Sequence, residues 1–414
     1  MLPNFLVLVM MGHQKTNYYR KDILMLKKMA TSLGLIVVLG SIVAMIFGPA
    51  AVEKQMNAVS KHESFEVSDR AKKLHGSLIV GDWHADSALW NRDLAKQYDY
   101  GHADIPRMQQ GNMALQMFTT VTKSPSGQNY ERNETSARDN ITSLAILQGW
   151  PIKSWTSLAE RAIFQAEKIR DLAERDPENF MLIESQADLG QWLGKRASNP
   201  LLIGGLIGTE GSHALDGDLS NVQRLYNKGF RMMSLHHFFD NKLGGSLHGT
   251  TGKGLTDFGR QAISEMLRLD IIIDVSHSSE QVVKDVLEIS SQPLVVSHTG
   301  FNGHCSSARN ISDSLMEAIA RKGGLIAVGF WEGAVCDNTP KSVAQAIEYG
   351  IGLVGADHVA LGSDFDGAIK PGFDSSELIA ITHELLELGV SEEHIKLVMG
   401  DNMLVFLQRN LPKH

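Results

Sequence analysis

The sequence predicts an α/β protein, a closed (β/α)8 TIM-like barrel behind an N-terminal transmembrane or signal-anchor helix. Three observations carry this. From residue 77 onward, about eight short apolar runs alternate with amphipathic helical stretches, the pattern of parallel βαβ units. No Gly-rich phosphate turn follows an early run, as an open doubly wound sheet would require; the first run ends in "DWHAD". One uncharged stretch of membrane-spanning length stands near the start.

That stretch is "SLGLIVVLGSIVAMIFGPAAV", residues 32–52. Its length matches the roughly 20 residues a bilayer requires. Arg20, Lys21, Lys27 and Lys28 precede it, while Glu53 and Lys54 follow. The positive-inside rule puts residues 1–31 in the cytoplasm as a basic segment and everything after 52 outside. A cleaved signal starting at Met25 or Met29 is the alternative, with "GPAA" supplying small residues for cleavage. Either way the main domain is exported, to the periplasm or the cell exterior, and is secreted if the segment is cut. Residues 53–75 read as a polar stalk ending in a helix capped by Ser68 or Asp69, and residues 76–414 as the barrel domain.

The apolar runs are 77–82, 113–121, 201–211, 230–237, 271–277, 293–299, 324–331 and 358–367. Between them, "SLAERAIFQAEKIRDLAER", "TDFGRQAISEMLRL", "SSEQVVKDVLE", "SDSLMEAIARK" and "SVAQAIEYGI" repeat apolar residues at three and four. Several open on a Ser, Thr or Asp cap. The chain of 414 residues carries a net charge of −8 and no basic stripe in its main body. Nucleic acid is therefore not expected as a partner. Cys305 and Cys336 follow neighbouring runs, so barrel closure brings their loops together, and export permits oxidation. One disulfide is expected.

Ionisable residues cluster where the runs stop. His84 and Asp86 follow the first, Glu210 the third, His237 the fourth, His277 the fifth, His298 the sixth and Asp364 the eighth. The C-terminal ends of barrel strands form one rim, where active sites sit. Buried imidazoles and carboxylates are costly unless paired or metal-bound. Imidazole and carboxylate ligands without thiolate suit zinc, and also manganese or cobalt. His84, Asp86, Glu210, His277 and His298 are too many for one open catalytic ion; they suit two ions sharing Glu210 as a bridge. His213, His236, His248, His304 and His358 read as structural or peripheral, as does Asp366.

With these residues in place, "WHAD", "GTEG", "MSLHH", "DVSHSS", "VVSHTGFNGHCSSARNISD" and "GSDFDG" resemble the renal (membrane) dipeptidase family, binuclear-zinc enzymes of the amidohydrolase-type barrel group. The resemblance spans roughly residues 68–410. It implies hydrolysis of a small dipeptide by a metal-bridging hydroxide. His84 and Asp86 would hold one zinc, His277 and His298 the other, with Glu210 between. His237 would contact the substrate and polarise its carbonyl, Arg309 would bind its C-terminal carboxylate, and Asp364 would take and return a proton. Trp83 and Ala85 depart from the family's "GHND" around the first pair. Other activities remain open: a barrel hydrolase for another amide, lactone or phosphoester, or a membrane-anchored binding protein without catalysis. Homodimerisation is left open as well.

Overall fold

The structure is a computed structural model and describes residues 4–414. It divides into two compact units, residues 1–49 and 50–414. Helix α1 (Asn4–Met56) makes up the described part of the first unit, and its last turns belong to the second. Over Leu24–Met56 it is long and apolar enough to cross a membrane.

The second unit is built on nine parallel strands: β1 (Val80–Ala85), β2 (Met113–Val121), β3 (Phe180–Leu182), β4 (Ile203–Glu210), β5 (Phe230–Ser234), β6 (Ile272–Asp274), β7 (Val295–Thr299), β8 (Leu325–Val328) and β9 (Val359–Leu361). Eight of them close a ring in the order β1-β2-β4-β5-β6-β7-β8-β9, with β9 paired back to β1. The expected runs supply all eight. The ninth, β3, pairs with the first residues of β4 outside the ring. It was not among the expected runs.

Adjacent strand residues divide between two cores. Met232, Ile272 and Val295 join the cluster with Leu115, Leu206 and Leu325. Their neighbours Met233, Ile273 and Val296 pack with helix residues such as Ala162, Ile263, Val283 and Ile347. Side chains alternate along a strand, and with helices outside the ring both faces are covered, so the strands are apolar throughout. The surrounding helices start where their caps dictate. Ser157, Thr256, Ser279 and Thr339 each accept a backbone N–H from the first turn, removing an orphan donor.

Two expectations meet different outcomes. A disulfide joins Cys305 to Cys336, with Cα atoms 5.5 Å apart, as the neighbouring strands β7 and β8 require. The polar stalk is corrected. Ser68 does cap α2 (Asp69–His75), but Glu53 and Asn57 are buried within the second unit. Glu53 forms an ion pair with buried Arg92. The Asn57 side chain accepts from the Ala368 N–H at 3.0 Å, and the Ser60 N–H donates to the Pro371 carbonyl at 2.9 Å. The start of the segment is tied to the body by these bonds, while residues 61–64 are exposed.

Candidate active site

The residues at the strand ends meet at one point. His84 lies within β1, Asp86 just past it, Glu210 at the end of β4 and His298 within β7. Glu210 Oε1 stands 3.5 Å from His84 Nε2, 3.4 Å from His277 Nε2 and 3.5 Å from His298 Nε2. Asp86 Oδ1 is 3.6 Å from His84 Nε2. Glu210 Oε2 is 3.5 Å from His237 Nε2. Gly211 follows Glu210 at φ 91°, and a Cβ there would lie 2.3 Å from the His213 ring, so the turn after the strand needs glycine.

His277 and Asp364 are not on strands. Each lies beyond its ladder with φ near 60°, a left-handed conformation that costs an L-residue roughly 1–2 kcal/mol. Such strain tends to gather at functional sites. The same backbone, with Asp366 at φ 63°, is what separates Asp366 from Asp364. Asp366 pairs with Arg92 and accepts from Ser87 and from the His102 N–H. These partners account for its structural reading.

Ser297 and Asp274 were missed, and they orient two of the rings. Ser297 Oγ donates to Asp274 Oδ2 at 2.7 Å, and it contacts His84 Nδ1 at 2.9 Å and His298 Nδ1 at 3.0 Å. A hydroxyl has one proton, and the carboxylate only accepts. Ser297 therefore accepts from both Nδ1–H groups, and both Nε2 atoms present lone pairs to Glu210. The signal was an Asp inside the apolar run "IIIDVSH": a buried carboxylate in a strand needs a partner.

The electrostatics show what the cluster lacks. Burial pushes the Glu210 carboxyl well above the usual carboxylate range, with Asp86 adding to the effect. Burial and Asp86 do the same to Asp364. Burial, then Arg309, holds the His277 ring well below its ordinary value; burial, then His84 and Arg309, does so for His298. A bound cation would reverse the rise on the carboxylates and would bind rings held in their lone-pair form; at His84 burial lowers the value but Asp86 and Glu210 outweigh it, and a cation would counter that rise too. Tetrahedral bonds of 2.0–2.1 Å put neighbouring ligand atoms about 3.4 Å apart, close to the spacings around Glu210 Oε1. The ligand atoms of His84, Glu210 and His298 lie within 4.8 Å of one another, and so do those of Glu210, His237 and His277. The residues present fit metal ions. Asp364 groups with His84 and Asp86 in the same way.

Two further residues face the same cavity of about 380 Å3. His237 Nδ1 meets the Lys123 carbonyl at 3.1 Å, so a neutral ring has no proton left on Nε2, and burial lowers its pKa to about 4. Arg309 is buried, donates to the His298 carbonyl at 2.8 Å, and lies 5.3 Å over the Trp331 ring. It forms no ion pair with a carboxylate among the described residues, in contrast to a surface salt bridge. Of the histidines read as peripheral, His248 has its ring 5.2 Å from that of His277.

Imidazoles and carboxylates converging at the C-terminal mouth of a parallel barrel define a metal-dependent hydrolase site. The chain belongs to the membrane dipeptidase family, peptidase family M19, which it matches over residues 68–410. It is a dipeptidase of the metallopeptidase class. It is 27% identical over 356 residues to mouse (Mus musculus) dipeptidase 3, covering 78% of this chain and 67% of that protein. Two solved structures share the fold. A metallopeptidase from Rhodobacter sphaeroides, bound to a phosphinate mimic of the dipeptide L-Ala-D-Ala, aligns with a TM-score of 0.65 at 22% identity, covering 80% of this chain and 99% of that one. A probable dipeptidase from Pseudomonas aeruginosa aligns with a TM-score of 0.66 at 18% identity, covering 83% and 98%.

Proposed function

We propose that the protein hydrolyses dipeptides bearing a free C-terminal carboxylate, using two zinc ions held by this cluster. His84 and Asp86 would hold one ion, His277 and His298 the other, and Glu210 would lie between them. When bound, the ions supply Lewis acidity, polarising the scissile carbonyl and making the water they share nucleophilic at neutral pH. Ser297 and Asp274 keep the His84 and His298 lone pairs aimed inward. Asp364, its pKa raised by burial and by Asp86, takes the proton of the attacking water and returns it to the leaving amine. His237 donates to the substrate carbonyl oxygen only after gaining a second proton, which negative charge developing on that oxygen would favour.

The observation that carries the reading is Arg309. A buried guanidinium without an acidic partner is costly. In the same cavity as the cluster, its planar fork suits a carboxylate brought by the substrate. In zinc-loaded protein, amidating a dipeptide's C-terminus should lower kcat/KM strongly for wild type and little for Arg309→Ala, the non-additivity expected of groups in contact. Equal losses in both would remove this basis for a preference for free-ended substrates.

The charge asymmetry of Arg20, Lys21, Lys27 and Lys28 before the apolar part of α1 supports a catalytic unit outside the cytoplasm. Protease added outside the inner membrane should digest residues after 60; protection until that membrane is lysed would overturn the topology.

A further inference from the structure

The cavity holding the cluster includes a mostly apolar chamber, with Ser124, Gln128, Asn140 and Ser143 also in the cavity lining. Its walls there are Leu89 and Trp90 after β1, Ile141 and Leu144 after β2, and Val52 and Met56 from the end of α1. Val52 packs directly on the cluster formed by Leu89, Trp90 and Ile141. The only charged side chains lining the cavity, among the described residues, are Arg309 and those of the metal-binding cluster with Asp364.

The barrel order says which part of a substrate arrives there. Arg309 stands in the loop after β7, and β2 is four places from β7 in either direction around the ring. The chamber is thus across the site from Arg309. A dipeptide with its carboxylate on Arg309 and its scissile bond at Glu210 directs its N-terminal residue to that side.

The wall made by α1 is held in place. Glu53, between Val52 and Met56, pairs with Arg92, and Arg92 pairs with Asp366. Asn57 and Ser60 bond to Ala368 and Pro371. The helix end is therefore tied to the loop that begins with Asp364. It also lies before residue 68, where the family match starts.

We propose that this chamber receives the N-terminal side chain of the dipeptide, and that Val52 and Met56 make it selective for large apolar side chains such as Leu, Met or Phe. The inference rests on the dipeptidase reading above. Its test uses the full-length, zinc-loaded protein with Gly-Ala, Leu-Ala, Phe-Ala and Glu-Ala. Leu-Ala and Phe-Ala should exceed Gly-Ala in kcat/KM by roughly 10- to 100-fold, the range for burying such a side chain in an apolar pocket. Glu-Ala should be poorest. Val52→Glu and Met56→Glu should each cut the Leu-Ala to Gly-Ala ratio at least fivefold. That ratio reports only on folded molecules, and Met56 is 41% exposed, so its substitution spares the core. An unchanged ratio in both variants would overturn the role of α1. A flat wild-type profile with good Gly-Ala turnover would overturn the chamber itself. Failure to cleave any dipeptide would sink the dipeptidase reading, and the inference with it.

Discussion

His277 Nε2 and His298 Nε2 stand 2.9 Å apart. Ser297 Oγ accepts a hydrogen bond from the Nδ1–H of His298, leaving a lone pair on its Nε2. Arg309 Nη2 approaches His277 Nε2 at 3.4 Å, and His277 Nδ1 is buried without a partner. With one ring proton, His277 can donate to His298 or leave both nitrogens facing each other as lone pairs. A cation held by both rings and Glu210 removes the conflict.

Wild-type protein should accordingly contain about two zinc-class ions per chain, since five ligands sharing one carboxylate make two sites. Glu210→Ala should lose most of both ions, because its Oε1 is within 3.5 Å of three ring nitrogens. Elemental analysis after gel filtration decides it. A full complement of metal in Glu210→Ala would show that the carboxylate does not join the sites.

Ser297→Ala should loosen one ligand of each site at once, since one hydroxyl holds His84 and His298. Removing such an outer hydrogen bond typically costs 10- to 100-fold in metal affinity. Chelator competition would measure it, with Ser297→Thr as the hydroxyl-retaining control. Equal affinities in wild type and Ser297→Ala would mean that packing alone orients the rings.

Much of the site was legible because its residues end apolar runs. His84, Glu210 and His298 sit on or at the end of strands, so strand periodicity placed them on one rim. His277 and Asp364 reach it through left-handed backbone beyond the ladders, which strand periodicity does not encode. Ser297 was hidden because a serine inside "PLVVSHT" carries no pattern; only the Asp274 carboxylate opposite it gives it meaning. Val52 and Met56 were hidden for another reason. An uncharged stretch of spanning length reads as membrane up to residue 52, and a polar stretch after it reads as a stalk. Burial of Glu53 against Arg92 is a tertiary fact, with partners 39 residues apart.

Asp364→Asn separates proton transfer from metal binding. The amide keeps the size of the side chain but cannot accept the proton, so kcat should fall roughly 10²–10⁴-fold, the usual scale of general acid–base catalysis. Metal content should stay near that of wild type. Loss of an ion together with activity would instead make Asp364 a ligand, an arrangement its grouping with His84 and Asp86 allows.

The last prediction concerns acid stability at the clamp between α1 and the Asp364 loop. His102 is fully buried, and its Nδ1 accepts from the Asp366 N–H at 2.9 Å. Burial lowers its pKa to about 4; the Asp366 charge opposes the shift and Arg92 reinforces it. In the unfolded chain the ring titrates near 6.5. Between those values the unfolded state binds more protons, so stability rises with pH there. The contribution of His102 is complete above about pH 6.5 and is lost as pH falls towards 4, with a ceiling of about 3 kcal/mol. Other buried rings, such as His236 with a pKa lowered to about 4, act in the same direction, so wild type alone cannot isolate it. His102→Gln should therefore be less stable than wild type at pH 7, and the gap in Tm should narrow as pH falls from 6.5 to 4. A gap that stays constant across that window would mean that His102 is either already protonated in the fold or free to ionise in place.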